Sequence, residues 1–276
     1  MKMEFDLEDP LASFEEQQNC SISELFACES DHMPTQDCIF LRCEAVSLIS
    51  QVQFSCNLDP FRTYLAINYL DRFMSRQEIK KGKPWFLRLI VISCLSLASK
   101  MTNTPFPISD LQIEGCVFEA GSIQKMENLI LGTLEWRMRS ITPFSFLHFF
   151  ISLAEIELRD PSSIKQALKQ RASEIILNAH YDIKFVGFKP SIVAASALVC
   201  ASGELFPQKF STVRASIVAC EYIDEDTMFR CFNLMQEMKR MEPKHAAFTS
   251  FMSTETPVST ECAEKEHQKK ENLIFL

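Results

Sequence analysis

The chain has few of the residues that tight turns and catalytic loops need. It holds only 6 glycines among 276 residues, and two-residue β-hairpins depend on residues that accept positive φ. No HExxH pair, no glycine-rich phosphate loop and no GxSxG elbow occurs. The shortage of glycine favours helices over hairpins. The missing motifs disfavour the commonest metalloprotease, nucleotide-binding and hydrolase sites.

Positive charge is also scarce. The chain carries 28 Lys and Arg against 36 Asp and Glu, which gives a net charge of −8. Binding to a nucleic acid backbone or to an anionic membrane surface needs clustered basic residues. The longest apolar run, Leu89–Ala98, is shorter than the roughly 20 residues that cross a bilayer. We therefore expect neither a nucleic acid nor a membrane as a partner.

The 11 cysteines form no CxxC pair, and the 5 histidines are scattered. Several cysteines lie within apolar helical patterns, where a free Cys acts as a small hydrophobe, and this usage is typical of a reducing compartment. The acidic N-terminus lacks the apolar stretch of a secretory signal. We expect no metal, no cofactor and no catalytic residue, so the sequence indicates a binding protein and not an enzyme.

Prolines mark the beginnings of several helices. Asp59-Pro60 and Asp160-Pro161 each combine an N-cap residue with Pro at the first helical position, where a backbone N–H would lack a partner in any case. Apolar periodicity supplies the rest of an all-α fold. The predicted helices cover residues 39–54, 60–75, 84–101, 107–115, 119–135, 143–156, 161–182, 190–204, 207–219 and 224–240.

Two of these helices contain segments, Ile90–Ala98 and Ile192–Cys200, that consist of small and apolar residues. Such helices pack closely on all sides and suit the centre of a bundle, so we predict two tandem five-helix domains. The polar, aperiodic segments at both ends are predicted to be disordered. The predicted divisions are 1–37 (N-terminal tail), 38–140 (first domain), 141–240 (second domain) and 241–276 (a tail containing Ser, Thr, Glu and Pro).

The segment Thr63–Ser75 is an unusual core helix, because it carries Asp71 among large apolar residues. Asp is almost never fully buried without a partner. Arg42, on the preceding apolar-patterned segment, is the obvious cation for it. We predict a buried ion pair between these two side chains.

Four ordered segments resemble the cyclin box. They read LRCEAVSLI at Leu41–Ile49, YLAINYLDRFM at Tyr64–Met74, SLASKM at Ser96–Met101 and KMENLILGTLEW at Lys125–Trp136. Their order and spacing are similar to those of the D-type cyclins, most of all the short sixth subgroup from plants. The resemblance covers about residues 41–240 and implies two tandem cyclin-box domains.

The resemblance assigns functional roles to individual residues. Taken on composition alone, Lys100 and Glu127 are ordinary solvated charges. In cyclins, Lys and Glu at these positions together form hydrogen bonds to the backbone of a cyclin-dependent kinase. Arg42, Asp71 and Leu89 match the positions that support the binding face from within.

A second surface implied by the resemblance is the substrate-docking patch of the first box helix. It would consist of Leu41, Glu44, Ala45 and Leu48. The family commonly has Trp where this chain has Leu48, which predicts a shallower groove and weaker docking of peptides.

The chain also departs from the family pattern. Cyclins usually place acidic residues soon after the Lys, whereas here Lys100 is followed by Met-Thr-Asn-Thr, which bears on kinase affinity and kinase choice. D-type cyclins usually carry an LxCxE motif for retinoblastoma-type proteins. The run Leu25–Glu29 reads LFACE, so its Cys is one position later than in LxCxE. Because an extended peptide presents alternate side chains to its binding pockets, this shift places different side chains in them. We conclude that the motif is absent.

The C-terminal tail contains a candidate phosphorylation site. Thr256-Pro257 lies in an acidic segment rich in Ser and Thr, which resembles the phosphorylation-dependent degrons of unstable cyclins. An inert solvated tail is the alternative.

The resemblance implies the activating regulatory subunit of a cyclin-dependent serine/threonine kinase, acting at the G1/S transition in the nucleus and cytoplasm. Kinase inhibitors and retinoblastoma-type substrates, without an LxCxE contact, would be further partners. Two alternatives stay open: a degenerate cyclin that binds a kinase without activating it, and a two-box transcription factor of the same fold. The negative net charge disfavours the transcription factor.

Overall fold

The computed structural model describes residues 22–29, 39–77, 83–106, 117–154 and 161–241. This part of the chain is all-α, as predicted, with two short 3-10 turns and no strand. Its ten helices are α1 (Ile22–Cys28), α2 (Ile39–Cys56), α3 (Pro60–Arg76), α4 (Pro84–Met101), α5 (Ala120–Thr133), α6 (Phe144–Leu153), α7 (Pro161–Tyr181), α8 (Pro190–Leu205), α9 (Phe210–Val218) and α10 (Glu225–Met241).

Proline begins four of these helices, α3, α4, α7 and α8. At α3 the Oδ1 atom of Asp59 accepts a hydrogen bond of 2.8 Å from the backbone N–H of Phe61, which is the expected N-cap interaction. Helix α6 begins at Phe144, one residue later than predicted, because Pro143 occupies the N-cap position. For the helices that lie within the described residues, the other sequence-based boundaries are confirmed to within a few residues.

Helices α4 and α8 are the central helices of two repeats. Helix α4 packs against α2, α3 and α5, and α8 packs against α6, α7 and α9. Their Ala, Ser and Cys residues are buried, which lets the neighbouring helices approach closely. This arrangement confirms the two predicted bundle centres.

Helix α4 is 18 residues long and is apolar enough to cross a membrane by length and composition alone. It is longer than the apolar run Leu89–Ala98 on which the sequence-based expectation depended. Two thirds of it (67%) is buried inside the protein, which is the environment of a core helix.

The prediction that residues 1–37 are disordered is wrong for residues 22–29, which contain α1. Leu25 and Phe26 are buried in the hydrophobic core. The ring of Phe26 stacks on Tyr222 with a centroid distance of 4.4 Å and lies 4.8 Å from Phe146. The physical reason is an apolar stripe at i, i+3 and i+4, formed by Ile22, Leu25 and Phe26, on one face of this seven-residue helix.

Glu29, immediately after α1, caps a helix that is distant in sequence. Its carboxylate accepts hydrogen bonds of 2.9 Å from both the backbone N–H and the hydroxyl of Ser191. Ser191 is the second residue of α8, where backbone N–H groups have no partner within the helix. The carboxylate is buried and also lies 3.8 Å from the ammonium of Lys189. Helix α1 is therefore tied to the second repeat by packing and by a cap.

Several predictions lie outside the described residues. These are the remainder of both predicted tails, the predicted helix at 107–115 and the candidate phosphorylation site Thr256.

Candidate functional site

The end of α4 presents Lys100 toward solvent. The helix stops because Thr102 caps it: its hydroxyl donates to the carbonyl of Ala98 over 3.0 Å, and Asn103 turns the chain with φ of 50°. A cation in the last turn is favourable, since the helix C-terminus carries partial negative charge. The Lys100 side chain is 59% exposed, so its ammonium is accessible to a binding partner.

Glu127 on α5 lies against this ammonium. Its Oε2 accepts a hydrogen bond of 2.6 Å from Lys100 Nζ. The Glu127 side chain is only 6% exposed, and its second oxygen, Oε1, is buried without a hydrogen-bond partner among the described residues. The structure thus brings together the two residues that the sequence assigned to one binding site.

Among the described residues, Lys100 has donors left over and Glu127 has an acceptor left over. An ammonium has three donors, and the ion pair accounts for one hydrogen bond of Lys100. A buried acceptor that lacks a partner costs free energy, and buried polar groups without partners are uncommon enough in native proteins to need an explanation. A partner that offers a carbonyl to Lys100 would satisfy its remaining donors through charge-assisted hydrogen bonds. Oε1 of Glu127 is inaccessible in the unbound protein, so a partner N–H reaches it only when this side chain moves.

Exposed apolar side chains also occur on α5 and just before it. Leu129 on α5 is 47% exposed, and Val117, shortly before the helix, is 61% exposed. Leu129 is two positions after Glu127 and therefore lies on a different side of the helix, so it is not assigned to the surface of the pair.

The structure contains the buried ion pair that was expected from the sequence. Arg42 Nε donates to Asp71 Oδ1 over 2.9 Å, and both side chains are nearly inaccessible. Burial raises the pKa of the Asp71 carboxyl, while the charge of Arg42 and its hydrogen bond act in the opposite direction. Arg42 Nη2 also donates to the carbonyl of His180 over 2.9 Å, so this guanidinium connects α2, α3 and α7.

The neighbouring Arg72 has a role that sequence reasoning missed. It is buried and donates to the carbonyls of Arg137 and Met138. These carbonyls follow a turn in which Glu135 and Trp136 both have positive φ, a conformation that is uncommon for residues other than glycine. Arg72 therefore fixes the position of the segment that follows α5 through these two hydrogen bonds.

Leu89 is buried on α4, at 7% exposure, and its supporting role stays a prediction. The described residues contain no group of His, Cys, Asp or Glu side chains that could hold a metal ion.

The predicted substrate-docking patch on α2 is not a continuous surface. Glu44 is exposed and Leu41 is partly buried, but Ala45 and Leu48 are buried at 0% and 3% exposure. The prediction is wrong for these last two residues. The reason is the helical period: positions 45, 48, 49 and 52 form one stripe of α2, and that stripe faces the core.

His180 is a partly buried histidine whose backbone carbonyl accepts a hydrogen bond from Arg42 of the supporting ion pair. Its imidazole lies 4.2 Å from the ring of Tyr64, and its Nε2 atom is inaccessible. Burial and the nearby charge of Arg42 lower the pKa of His180 from 6.5 to about 3. The side chain is therefore neutral at pH 7 in the folded protein.

This lowered pKa predicts a loss of stability in mild acid. The unfolded chain takes up a proton on His180 below about pH 6.5, whereas the folded chain does not until about pH 3. The free energy of unfolding therefore falls as the pH drops through this window, by about 2 kcal/mol at pH 5. Urea unfolding at pH 7.5 and at pH 5 measures this difference.

The comparison variant is His180→Gln, which cannot titrate. Its loss of stability between pH 7.5 and pH 5 should be smaller than that of the parent chain by the same amount. An equal loss in both chains would contradict the assignment of a neutral His180 in the folded protein.

Comparison with known proteins agrees with the two helical repeats. The family model for the cyclin N-terminal domain matches residues 14–139, and that for the cyclin C-terminal domain matches residues 141–264. Putative cyclin-D6-1 from Arabidopsis thaliana is 42% identical over 253 residues, covering 85% of this chain and 83% of that protein. Cyclin-D6-1 from Oryza sativa subsp. japonica is 36% identical over 263 residues, covering 93% and 80%.

Similarity to a solved structure is more distant. A chain in the structure of the CAK complex from Chaetomium thermophilum bound to ATP-gamma-S has a TM-score of 0.50 and 17% sequence identity, covering 87% of this chain and 84% of that chain. At this identity the likeness concerns the fold alone.

Proposed function

Because this chain belongs to the cyclin family, with relatives among the plant D-type cyclins, we propose that it is the activating regulatory subunit of a cyclin-dependent serine/threonine kinase. Cyclins are regulatory subunits and not enzymes, so the catalytic residues belong to the partner. The observation that carries the proposal is the Lys100–Glu127 pair, with its solvent-facing ammonium and a buried carboxylate oxygen that has no hydrogen-bond partner among the described residues.

The proposed mechanism is differential binding. Lys100 donates to carbonyls of the kinase backbone, and Glu127 accepts from a kinase N–H. Both contacts can form only when the kinase segment that they bind has one particular conformation. A ligand that binds one of two conformations more tightly shifts the population toward it, so the cyclin favours the active arrangement.

The ion pair of Arg42 and Asp71 contributes by fixing the geometry of the surface. It joins α2 to α3, and α3 packs against both α4 and α5, which carry Lys100 and Glu127. A site has to be held rigidly by its surroundings if its hydrogen bonds are to be directional.

The proposed cellular role is control of entry into division at the G1/S transition, in the nucleus and the cytoplasm. Kinase inhibitors and retinoblastoma-type substrates are proposed further partners. We propose no LxCxE contact, because Leu25 and Phe26 are buried in helix α1 and Glu29 is occupied by Ser191. An extended peptide is not available from this segment in the folded chain.

One observation favours a second candidate, a cyclin that binds a kinase without activating it. The segment after Lys100, Met101–Thr104, lacks the acidic residues that the family usually places soon after this Lys. This departure from the family pattern bears on activation more than on the fold.

A reconstituted assay tests the proposal. The chain is mixed with purified plant cyclin-dependent kinase subunits, and both complex formation and phosphorylation of a retinoblastoma-type substrate are measured. The proposal predicts a stable complex with kinase activity well above that of the kinase alone. A complex without activity would replace the activator by the second candidate, and the absence of any complex would overturn both.

A further inference from the structure

Two threonine hydroxyls form hydrogen bonds at the C-terminal end of α4. Thr104 donates its backbone N–H to the carbonyl of Ser99 over 3.0 Å, and its hydroxyl lies 3.4 Å from the same carbonyl. The hydroxyls of Thr102 and Thr104 are 2.6 Å apart, and the N–H of Asn103 donates to the carbonyl of Lys100 over 3.3 Å. Thr104 is thus part of the cap that closes the last turn of α4, the turn that holds Lys100.

Thr104 is followed by Pro105, and the chain is neither helix nor strand from Thr104 to Phe106. Thr104 is partly exposed, and its neighbours Asn103 and Pro105 are exposed. A residue before Pro is biased toward extended backbone, which is the form in which a protein kinase takes its substrate. A partly exposed Thr-Pro dipeptide in such a segment has the chemistry that proline-directed serine/threonine kinases recognise.

We propose that Thr104 is a phosphorylation site and that a phosphate there weakens binding through Lys100 and Glu127. This inference rests on the proposed function of the pair. In the reaction, the Thr104 Oγ1 atom attacks the γ-phosphorus of ATP, a new P–O bond forms, and the bond to ADP breaks. The hydroxyl proton passes to a base of the modifying kinase, and ADP leaves.

The first consequence of the phosphate is local. It adds about −1.5 to −2 charge beside a helix C-terminus that already carries partial negative charge. It also removes the Thr104 hydroxyl as a donor to Thr102 or Ser99. Both effects loosen the cap that positions the last turn of α4.

The second consequence concerns Lys100. Lys100 lies in the last turn of α4, the turn that the threonine cap closes. A loosened last turn no longer holds the ammonium in position, so Lys100 is displaced from the carbonyls of a partner. The Glu127 carboxylate is then left buried without its cation.

Another Thr-Pro dipeptide, Thr142-Pro143, provides the matched control. Thr142 is also partly buried, but it lies before α6. Phosphate at this position would not touch the cap of α4. Variants of the two threonines therefore distinguish an effect of phosphate at Thr104 from an effect of phosphate at any Thr-Pro dipeptide.

The test uses the full chain and its Thr104→Val and Thr142→Val variants. Each is treated with a mitogen-activated-type, proline-directed kinase and ATP. Phosphate is located by peptide mass spectrometry, and affinity for a cyclin-dependent kinase subunit is measured for each chain before and after treatment.

We expect phosphate on Thr104 and a loss of affinity of at least about tenfold in the parent and in Thr142→Val. Thr104→Val should keep its own starting affinity after treatment. Absence of phosphate from Thr104, or unchanged affinity of a chain that carries it, would overturn the inference.

A separate readout distinguishes failure of this inference from failure of the proposed function. If the untreated chain binds no kinase subunit, the proposed function fails and the effect on binding fails with it. Hydrogen exchange at Asn103 and Thr104 still reports whether phosphate opens the α4 cap. Faster exchange on phosphorylation supports the local step, and unchanged exchange contradicts it.

Discussion

Replacing Asp71 with Ala is expected to lower the free energy of unfolding by about 3–5 kcal/mol, the typical cost of leaving one member of a buried ion pair without its partner. Arg42 would remain buried, at 3% exposure, with its Nε donor unpaired. Its bond to the carbonyl of His180 would persist, so the guanidinium could not simply move to solvent. Urea unfolding at pH 7.5 measures the loss.

A double variant and an exposed pair supply the controls for Asp71. Arg42→Met with Asp71→Leu should cost far less than Asp71→Ala, because no charge is then left buried. Glu225→Gln removes one partner of an exposed pair, Arg214–Glu225, with a distance of 3.9 Å, and should cost less than about 1 kcal/mol. A similar small cost for Asp71→Ala would show that the buried pair does not form in solution.

Replacing Phe26 with Ala should destabilise the chain by about 3–5 kcal/mol, the usual range for a buried phenylalanine. The ring is 7% exposed and contacts Tyr222 and Phe146, so its removal opens a cavity beneath α1. Loss of α1 packing would also expose Glu29 and uncap α8. Thermal and urea unfolding of the full chain measure the effect.

The control for Phe26 lies on the same helix. Cys28 is exposed, and Cys28→Ala should change the free energy of unfolding by no more than about 0.5 kcal/mol. If Phe26→Ala proves as mild as Cys28→Ala, helix α1 is not docked in solution, and the original expectation of a disordered segment would be restored there.

The helices were predictable because their signals are local. Asp59 and Pro60 fix the beginning of α3 through one side-chain hydrogen bond and one missing N–H. The small residues of α4 and α8 likewise indicate close packing, and this signal is contained within each helix. The pairing of Arg42 with Asp71 was accessible for a related reason, since a carboxylate amid apolar residues requires a cation.

Helix α1 was missed because most of its stabilisation is not local. Seven residues are too few to form a stable helix alone, and the cap on Ser191 joins residues that lie 162 positions apart. The apolar spacing of Ile22, Leu25 and Phe26 was the available signal. The acidic composition around it outweighed that signal.

The error on the docking patch has a different origin. Ala45 and Leu48 were assigned by family correspondence, although their spacing with Ile49 and Val52 marks them as a core stripe. The helical period was the better guide to burial. For Lys100 and Glu127 the situation is reversed: their contact joins α4 to α5 and could not be derived from composition, whereas the family motifs identified both residues.

Exchanging the charges of the binding pair tests the central claim most directly. The double variant Lys100→Glu with Glu127→Lys keeps an ion pair and the net charge, but it inverts the donors and acceptors that a partner meets. The matched control exchanges the exposed pair by Arg214→Glu with Glu225→Arg. Circular dichroism establishes that each chain keeps its helices, and affinity for a cyclin-dependent kinase subunit is then measured.

We expect the Lys100–Glu127 exchange to weaken binding by on the order of 100-fold or more, with helicity retained, and the control exchange to leave affinity unchanged. Undiminished binding by the exchanged chain would contradict the assignment of this pair as the kinase-binding site.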